Sequence, residues 1–319
     1  METVPTSLIQ TLKRQKYHLV GNHSAIKKCR WLHETLVHGR PCYKQRSYGI
    51  KTHRCIQTTP NLFNCTQRCL FCWRAQSGDL DLKWDEMKLP EWDSPEEIVN
   101  SSIRAQRQIL TGYKANPKTD MRKLEEAMTP RQAAISLTGE PTLYEHLGEL
   151  IRTFHKRNFT TFLVPNGTVP SALAKLSEEP TQLYISTCAP DEKTLKQVCR
   201  PQTTKAWEKL NETLSLLPSF RCPIVIRITL TRDLNMKNIE GYVKLIKKAD
   251  PTYIELKAYV YVGFSRLRMS FENMPSHLET RQFELQLARE TDYGLIGESE
   301  ESRVVLLSKL KKPISFEKT

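Results

Sequence analysis

The sequence has no apolar run approaching the roughly 18 residues that a membrane-spanning helix requires, and its mean hydropathy is −0.50. Its N-terminus, METVPTSLIQTLKRQKYHLV, lacks the apolar core and small-residue cleavage site of a secretory signal. A soluble, cytoplasmic chain is expected. Internal repeats and low-complexity tracts are missing too, which excludes solenoids and linker-like chains. Acidic residues are nearly absent from one region. Residues 1–74 contain 13 Lys/Arg but only Glu2 and Glu34, and so hold +11 of the net +13. From residue 75 onward, 35 bases are balanced by 33 acids.

What the basic region has instead is cysteine. Six of the nine (Cys29, Cys42, Cys55, Cys65, Cys69, Cys72) fall within 44 residues, while Cys188, Cys199 and Cys222 are scattered and read as ordinary packing. Clustered cysteines form disulfides in small secreted domains; in a long chain without a secretory signal they bind metal or do redox chemistry. The apolar fraction, 39% of 319 residues, supplies a core for one large or two ordinary domains and excludes a disordered chain.

Residues 1–57 read as a basic N-terminal segment with five of the eight histidines and an amphipathic helix over Ser7–Tyr17, its apolar side formed by Leu8, Ile9, Leu12 and Tyr17. Residues 58–290 alternate strand-length and helix-length patterns, and 291–319 form a C-terminal extension. Strands are expected at Thr58–Phe63, Ala133–Leu137, Thr160–Val164, Gln182–Ser186, Ile224–Thr231 and Tyr253–Val260, with helices near 95–112, 145–156, 170–177, 191–198, 204–216 and 238–248. Ser94-Pro95-Glu96-Glu97 carries an N-cap Ser, Pro at the first helical position and acids in the first turn. Repeated β/α alternation implies a parallel sheet, a barrel or an open doubly wound sheet. Two late strands alternate, with Arg227, Thr229 and Thr231 on one face and Glu255 and Lys257 on another. Such a face lines a cavity if the strands are interior, or meets solvent if they are edges.

Cys65-Thr66-Gln67-Arg68-Cys69-Leu70-Phe71-Cys72 is a C-x3-C-x2-C run. Three thiolates this close can hold three corners of a [4Fe–4S] cube and leave one iron open to a small molecule. A structural zinc site needs four N/S ligands, and His53 could complete a Cys3His set, so spacing alone leaves zinc open. The run, with its aromatic Phe71 before the last Cys, resembles the radical S-adenosylmethionine (SAM) superfamily. That family's second mark is a Gly-Gly-Glu-type turn after the second strand. Here Thr138-Gly139-Glu140-Pro141 occupies that place, with Thr138 replacing the first Gly.

Cys29, Cys42 and Cys55 form a C-x12-C-x12-C pattern immediately upstream. With Cys42-Tyr43-Lys44, Phe71-Cys72-Trp73-Arg74, Ser136-Leu137-Thr138-Gly139-Glu140-Pro141-Thr142 and Tyr253-Ile254-Glu255-Leu256-Lys257, it resembles the archaeal tRNA 4-demethylwyosine synthases along nearly the whole chain. The resemblance implies an incomplete (β/α)6 barrel with a Cys-rich N-terminal extension and two [4Fe–4S] clusters. One sits on Cys65, Cys69 and Cys72, the other on Cys29, Cys42 and Cys55.

It implies a lyase-type carbon–carbon synthase acting on tRNA-Phe that carries N1-methylguanosine 3′ of the anticodon, joining it with two carbons of pyruvate to form tricyclic 4-demethylwyosine. By the same carry-over, Glu140 meets the SAM amino group, Phe71, Thr138 and Gly139 belong to the SAM site, and Asn166 and Ser186 face the rest of SAM. Lys44 is the candidate Schiff-base partner of pyruvate. The rival is chelation of pyruvate by the open iron of the second cluster, with Lys44 as a charge partner.

The basic segment suits RNA, whose phosphates give salt-dependent affinity, and whose loop bases stack on aromatics and can be flipped out. Trp31, Tyr43, Tyr48 and Trp73 are candidate platforms, and the basic-aromatic stretch Tyr259–Met269 is a further RNA surface. Part of the charge also offsets anionic clusters. Eukaryotic relatives add a flavodoxin-like reductase domain at the N-terminus; with about 28 residues ahead of Cys29, a separate electron-donor protein and a monomer are expected here. His146, His155 and His277 read as surface or capping residues. Two rival classes stand beside this reading: another radical SAM enzyme with an auxiliary cluster, and a non-catalytic zinc-stabilised RNA-binding protein.

Overall fold

The computed structural model describes residues 4–316. Ten strands form one sheet: β1 (Tyr17–Val20), β2 (Ser24–Lys27), β3 (Cys55–Thr59), β4 (Gln132–Ile135), β5 (Thr160–Leu163), β6 (Gln182–Ser186), β7 (Ile224–Leu230), β8 (Tyr253–Ala258), β9 (Gly294–Ser299) and β10 (Val304–Ser308). Their order is β1-β2-β3-β4-β5-β6-β7-β8-β10-β9. Strands β3 to β8 are all parallel, while β2 joins β3 and β10 joins β8 antiparallel. Among the described residues the outermost strands β1 and β9 do not pair with each other, so the six-stranded parallel centre is a partial, unclosed barrel.

The helices are α1 (Thr6–Arg14), α2 (Arg30–His38), α3 (Tyr43–Tyr48), α4 (Pro95–Thr111), α5 (Met121–Ala127), α6 (Leu147–Lys156), α7 (Pro170–Ala174), α8 (Glu192–Val198), α9 (Ala206–Leu216), α10 (Ile239–Ala249) and α11 (His277–Arg289). None is long and apolar enough to cross a membrane. The signal before α4 works as the sequence implies: the Glu97 N–H donates to Ser94 Oγ at 3.2 Å and Pro95 opens the helix. Two expectations shift. The first barrel strand is Cys55–Thr59 rather than Thr58–Phe63, because Pro60 has no N–H to continue a ladder. The 57/58 division therefore falls inside β3. The first helix ends at Arg14 rather than Tyr17; Lys16 turns at φ +64° and Tyr17 opens β1.

The outer face of the sheet is apolar and covered by helices. Ile56, Ile135, Leu163, Ile185, Ile226 and Leu256 pack beneath Val99, Leu150, Leu210, Ile246 and Leu287 of α4, α6, α9, α10 and α11. Each such aliphatic is worth about 1.5–3 kcal/mol when fully buried. The inner face carries the alternate residues: Phe162, Tyr184, Arg227, Glu255 and Lys257. Both β7 and β8 have hydrogen-bonded neighbours on each side, so their polar face lines the barrel interior and the edge-strand reading is excluded. Helix α3 lies against this concave face, with Tyr48 packed on Phe162, Tyr184 and Tyr253.

Candidate functional site

Cys65, Cys69 and Cys72 lie in the loop that leaves β3, at the rim where the parallel strands end. Neighbouring segments pin the loop. Gln202 Nε2 donates to Cys65 O at 2.8 Å, the Leu70 N–H to Val198 O at 2.9 Å and the Arg68 N–H to Cys199 O at 3.0 Å. Arg74 donates from below to Gln67 O and Ala75 O, both at 3.0 Å, and pairs with the buried Glu86. Arg268 donates to Cys72 O and Asp79. Burial pushes the Cys65 and Cys72 thiols up, and Arg74 is the main opposing influence on both. A buried guanidinium beside thiols is the compensation that a thiolate-held cluster requires.

The turn after β4 presses on this loop. Gly139 has φ +70°, and a Cβ there would stand 1.7 Å from Asn61 O, so only glycine fits. The hydroxyl of Thr138, and the Asn61 and Thr187 side-chain oxygens, are buried at the same rim without a protein partner. Orphaned polar atoms beside a glycine-permitted turn suit a polar ligand held there. Glu140 is buried and its acid lifted to about 7 by burial, against hydrogen bonds from Thr142 and Asn166. Its Oε1 accepts from the Thr142 N–H at 3.1 Å and its Oε2 from the Asn166 N–H at 2.9 Å. The carboxylate thus ties the β4 and β5 loops together and keeps lone pairs for a ligand amine. Asn166 Nδ2 donates to Thr66 Oγ1 at 2.8 Å and stands 3.9 Å from Cys65 Sγ. Ser186 ends β6 on the inner face, and Phe71 packs against the main core.

The second set is assembled from three elements. Cys29 caps α2, Cys42 caps α3 and Cys55 opens β3. Burial raises all three thiols, Cys42 to about 11 and Cys55 to about 12; Cys29 also raises Cys42, and Cys29 and Cys42 both raise Cys55. Lys44 and Lys257 are the cations that face them. Lys44 Nζ lies 4.2 Å from the Phe162 ring centre and 4.7 Å from that of Tyr184. Burial, then Arg227, lower its amine to about 8. Beside it Arg227 Nε donates to Glu255 Oε1 at 2.7 Å, the Tyr43 hydroxyl donates to Glu255 Oε2 at 2.8 Å, and Arg227 Nη2 donates to the Tyr43 oxygen at 3.1 Å. Burial would raise the Glu255 acid, but Arg227, Lys257 and Lys44 hold it below the usual range.

His53 does not join the thiols: its Nε2 is 3.0 Å from Glu126. Among the described residues no three His, Cys, Asp or Glu side chains close on a single ion, which removes support for a Cys3His zinc site. A cube binds its thiolates at separate iron corners and tolerates wider spacing. Tyr43 and Tyr48 are buried and committed to the interior, so neither is a stacking platform. Trp73 is partly covered, with Lys27 Nζ 4.5 Å from its ring centre, and Trp31 lies beside Arg30. The loop after β8 docks on the cysteine loop through the Phe264 N–H to Trp73 O at 3.0 Å, and displays Tyr261, Arg266 and Phe271, the last 60% exposed. A recess of about 740 Å³ next to the cysteine loop is lined by Arg68, Lys196, Arg200, Lys205 and Trp207. His146, His155 and His277 sit beside surface carboxylates. Cys188 is plain core, but Cys199 lies against Cys69 rather than in mere packing.

Sequence reasoning missed Thr66, Gln202 and Glu86, which act through loops far apart in the chain, and gave Arg268 to an RNA surface although its buried side chain is spent on Asp79 and Cys72 O. The alternation on β7 and β8 did flag Arg227, Glu255 and Lys257, though not the role of Tyr43, 212 positions from Glu255.

Residues 62–246 match the family model for the radical SAM superfamily, and residues 248–309 match the model for wyosine base formation. The chain is 47% identical over 309 residues to the S-adenosyl-L-methionine-dependent tRNA 4-demethylwyosine synthase of Pyrococcus abyssi (strain GE5 / Orsay), covering 95% of this chain and 89% of that protein. It is 39% identical to the protein of the same description from Methanocaldococcus jannaschii, covering 98% and 99%. A solved structure of TYW1 with a lysine–pyruvate adduct bound superposes with TM-score 0.88 at 38% identity, covering 98% of this chain and 99% of that one.

Proposed function

The chain belongs to the S-adenosyl-L-methionine-dependent tRNA 4-demethylwyosine synthases of the radical SAM superfamily, and on that premise we propose that it joins N1-methylguanosine of tRNA-Phe to two carbons of pyruvate. The radical SAM family uses SAM and a [4Fe–4S] cluster. We assign the cluster to Cys65, Cys69 and Cys72, and a second one to Cys29, Cys42 and Cys55, whose buried thiols face Lys44 and Lys257. Cys65, Cys69 and Cys72 would hold the first cluster, which together with SAM would supply one-electron radical chemistry at the strand ends. Thr138, Gly139, Glu140, Asn166 and Ser186 bind and orient SAM from the strand ends, and Phe71 backs the cysteine loop.

The observation that carries the reading is Lys44, set between two aromatic faces beside the second thiol set and without a carboxylate partner among the described residues. A neutral amine there attacks the keto carbon of pyruvate, and water leaves as the imine forms. Arg227 and Lys257 keep the neighbourhood cationic for the pyruvate carboxylate. The neighbour's lysine–pyruvate adduct supports this role over a purely electrostatic one. The RNA approaches the strand-end rim, where Tyr261, Arg266, Phe271 and the Arg68–Lys205 recess offer stacking and phosphate contacts.

The test is anaerobic turnover on N1-methylguanosine tRNA with pyruvate, SAM and a low-potential reductant, followed by mass spectrometry of the product base. About eight irons per chain are expected for two four-iron clusters. Lys44→Arg, which keeps charge but cannot form an imine, should abolish product and borohydride trapping of pyruvate while keeping the iron. Wild-type product rates in Lys44→Arg would remove the covalent role, and a colourless zinc protein would sink the enzyme reading.

A further inference from the structure

Cys199 follows α8 and is 2% exposed. The loop carrying the first thiol set runs antiparallel beside it. Gln67 and Pro201 form an isolated antiparallel bridge, and the Gln202 N–H donates to Thr66 O at 2.8 Å. Counting back from the bridge places Cys199 opposite Cys69. The bonds on either side, Arg68 N–H to Cys199 O at 3.0 Å and Leu70 N–H to Val198 O at 2.9 Å, hold that apposition. Cys199 is the helical C-cap of α8 and Arg200 turns at φ +44°, so the end of the helix is bent onto the loop at this point. The Cys199 side chain is the strongest influence on the Cys69 thiol, and Cys199 belongs to the main core against which Cys69 packs. Cys65 and Cys72 also lie close enough to feel the Cys69 thiol, Cys65 beside Asn166 and Cys72 beside Tyr17, so Cys199 is one of three sulfurs within reach of Cys69. Cys69 is partly exposed, whereas Cys199 is sealed behind it.

We propose that Cys199 is a resolving cysteine for Cys69, forming a Cys69–Cys199 disulfide when the loop carries no cluster and meets peroxide. The inference rests on the reading that Cys69 is a cluster ligand. Peroxide oxidises the Cys69 thiol to a sulfenic acid and is reduced to water. The Cys199 sulfur then attacks the Cys69 sulfur; the S–S bond forms, the S–O bond breaks, and hydroxide leaves with the thiol proton as a second water. The thiol pair has given two electrons to one peroxide. The bridge keeps Cys69 on the reversible rung of thiol oxidation and withholds a ligand until a dithiol reductant restores both thiols, after which iron and sulfide can reload the loop.

The full-length protein, stripped of iron by chelator and ferricyanide, is treated with one equivalent of hydrogen peroxide, alkylated, digested without reductant and analysed by mass spectrometry. The expected product is a linked peptide pair containing Cys69 and Cys199 that separates on reduction. Cys199→Ser should load the same iron as the wild type before oxidation. After a second equivalent of peroxide it should carry sulfinic acid at Cys69, where the wild type keeps the disulfide, and recover less than half the iron that the reduced wild type regains. A dominant Cys69–Cys72 or Cys65–Cys72 bridge, or equal recovery in Cys199→Ser, would overturn the proposal. Full iron loading by Cys69→Ala would instead remove the ligand reading on which it rests, and the linked peptide in the wild type reports independently of either variant's folding.

Discussion

At the scale of the residue, charge inside this barrel is placed in pairs and triads rather than singly. Glu255 is fully buried and answered by Arg227 and Tyr43. Removing one partner from such a set strands the other. Glu255→Ala, which leaves Arg227 without its acid, should cost about 3–5 kcal/mol, whereas Tyr43→Phe should cost about 1–2 kcal/mol because the ion pair survives. Anaerobic denaturant unfolding at matched iron content measures both. Equal costs would mean that the tyrosine hydroxyl, and not the ion pair, organises the wall behind Lys44. Of these residues, the sequence exposed Lys44 and the strand alternation. It did not expose Tyr43, because a contact across two hundred positions leaves no periodic trace.

At the scale of the element, the β1–β2 hairpin was not legible, yet it is fastened by a polar clasp. Its turn, Gly21-Asn22-His23, closes on Asp93. The Asn22 N–H donates to Asp93 Oδ2 at 2.6 Å and Asn22 Nδ2 to Oδ1 at 2.9 Å. Gly21 has φ +60°, and a Cβ there would meet the Asp93 carboxylate at 2.1 Å. The Asp93 N–H donates to His23 Nε2 at 2.8 Å, which leaves the proton on Nδ1, donated to Pro60 O at 2.6 Å. Burial therefore lowers the His23 pKa below 6.5, although Pro60, Asp93 and Glu97 pull the other way. The folded state prefers the neutral ring, so its contribution is present above pH 6.5 and is lost as pH falls through the depressed value. Stability should decline from pH 7 toward pH 5 by at most about 1.4 kcal/mol per pH unit for this one proton. His23→Gln, compared by urea unfolding across that range, should have a lower baseline and a flatter slope. An unchanged slope would assign the acid sensitivity to other groups. Such short strands escape sequence reading because four residues carry too few alternations to stand out, and because their pairing is decided by β3.

At the scale of the whole molecule, Arg68 of the basic segment reaches a recess beside the cysteine loop, where Lys196, Arg200 and Lys205 join it from the near-neutral remainder of the chain. Glu208 and the Lys196-paired Glu192 also line it. Affinity for tRNA should fall with salt at about 0.7–0.9 decades per decade for each phosphate engaged, and Lys205→Ala should reduce that slope by about one contact. Filter binding of anticodon stem-loop RNA between 50 and 200 mM salt (about the range where such losses are large) measures it. A slope that does not change in Lys205→Ala would exclude the recess from the RNA path.

The sequence by itself determined the parallel β/α succession, the glycine-bearing turn after the second parallel strand and the two cysteine triplets. These are local: periodicity, a chain-reversing glycine and short ligand spacing are written in neighbouring residues. Only the tertiary structure decided which side of β7 and β8 is interior, that Tyr43 and Tyr48 are walls rather than platforms, that His53 belongs to Glu126, and that Cys199 stands behind Cys69. Each of these depends on which distant segments share a face. A free-energy balance over the whole chain settles that choice, and no window of sequence contains it.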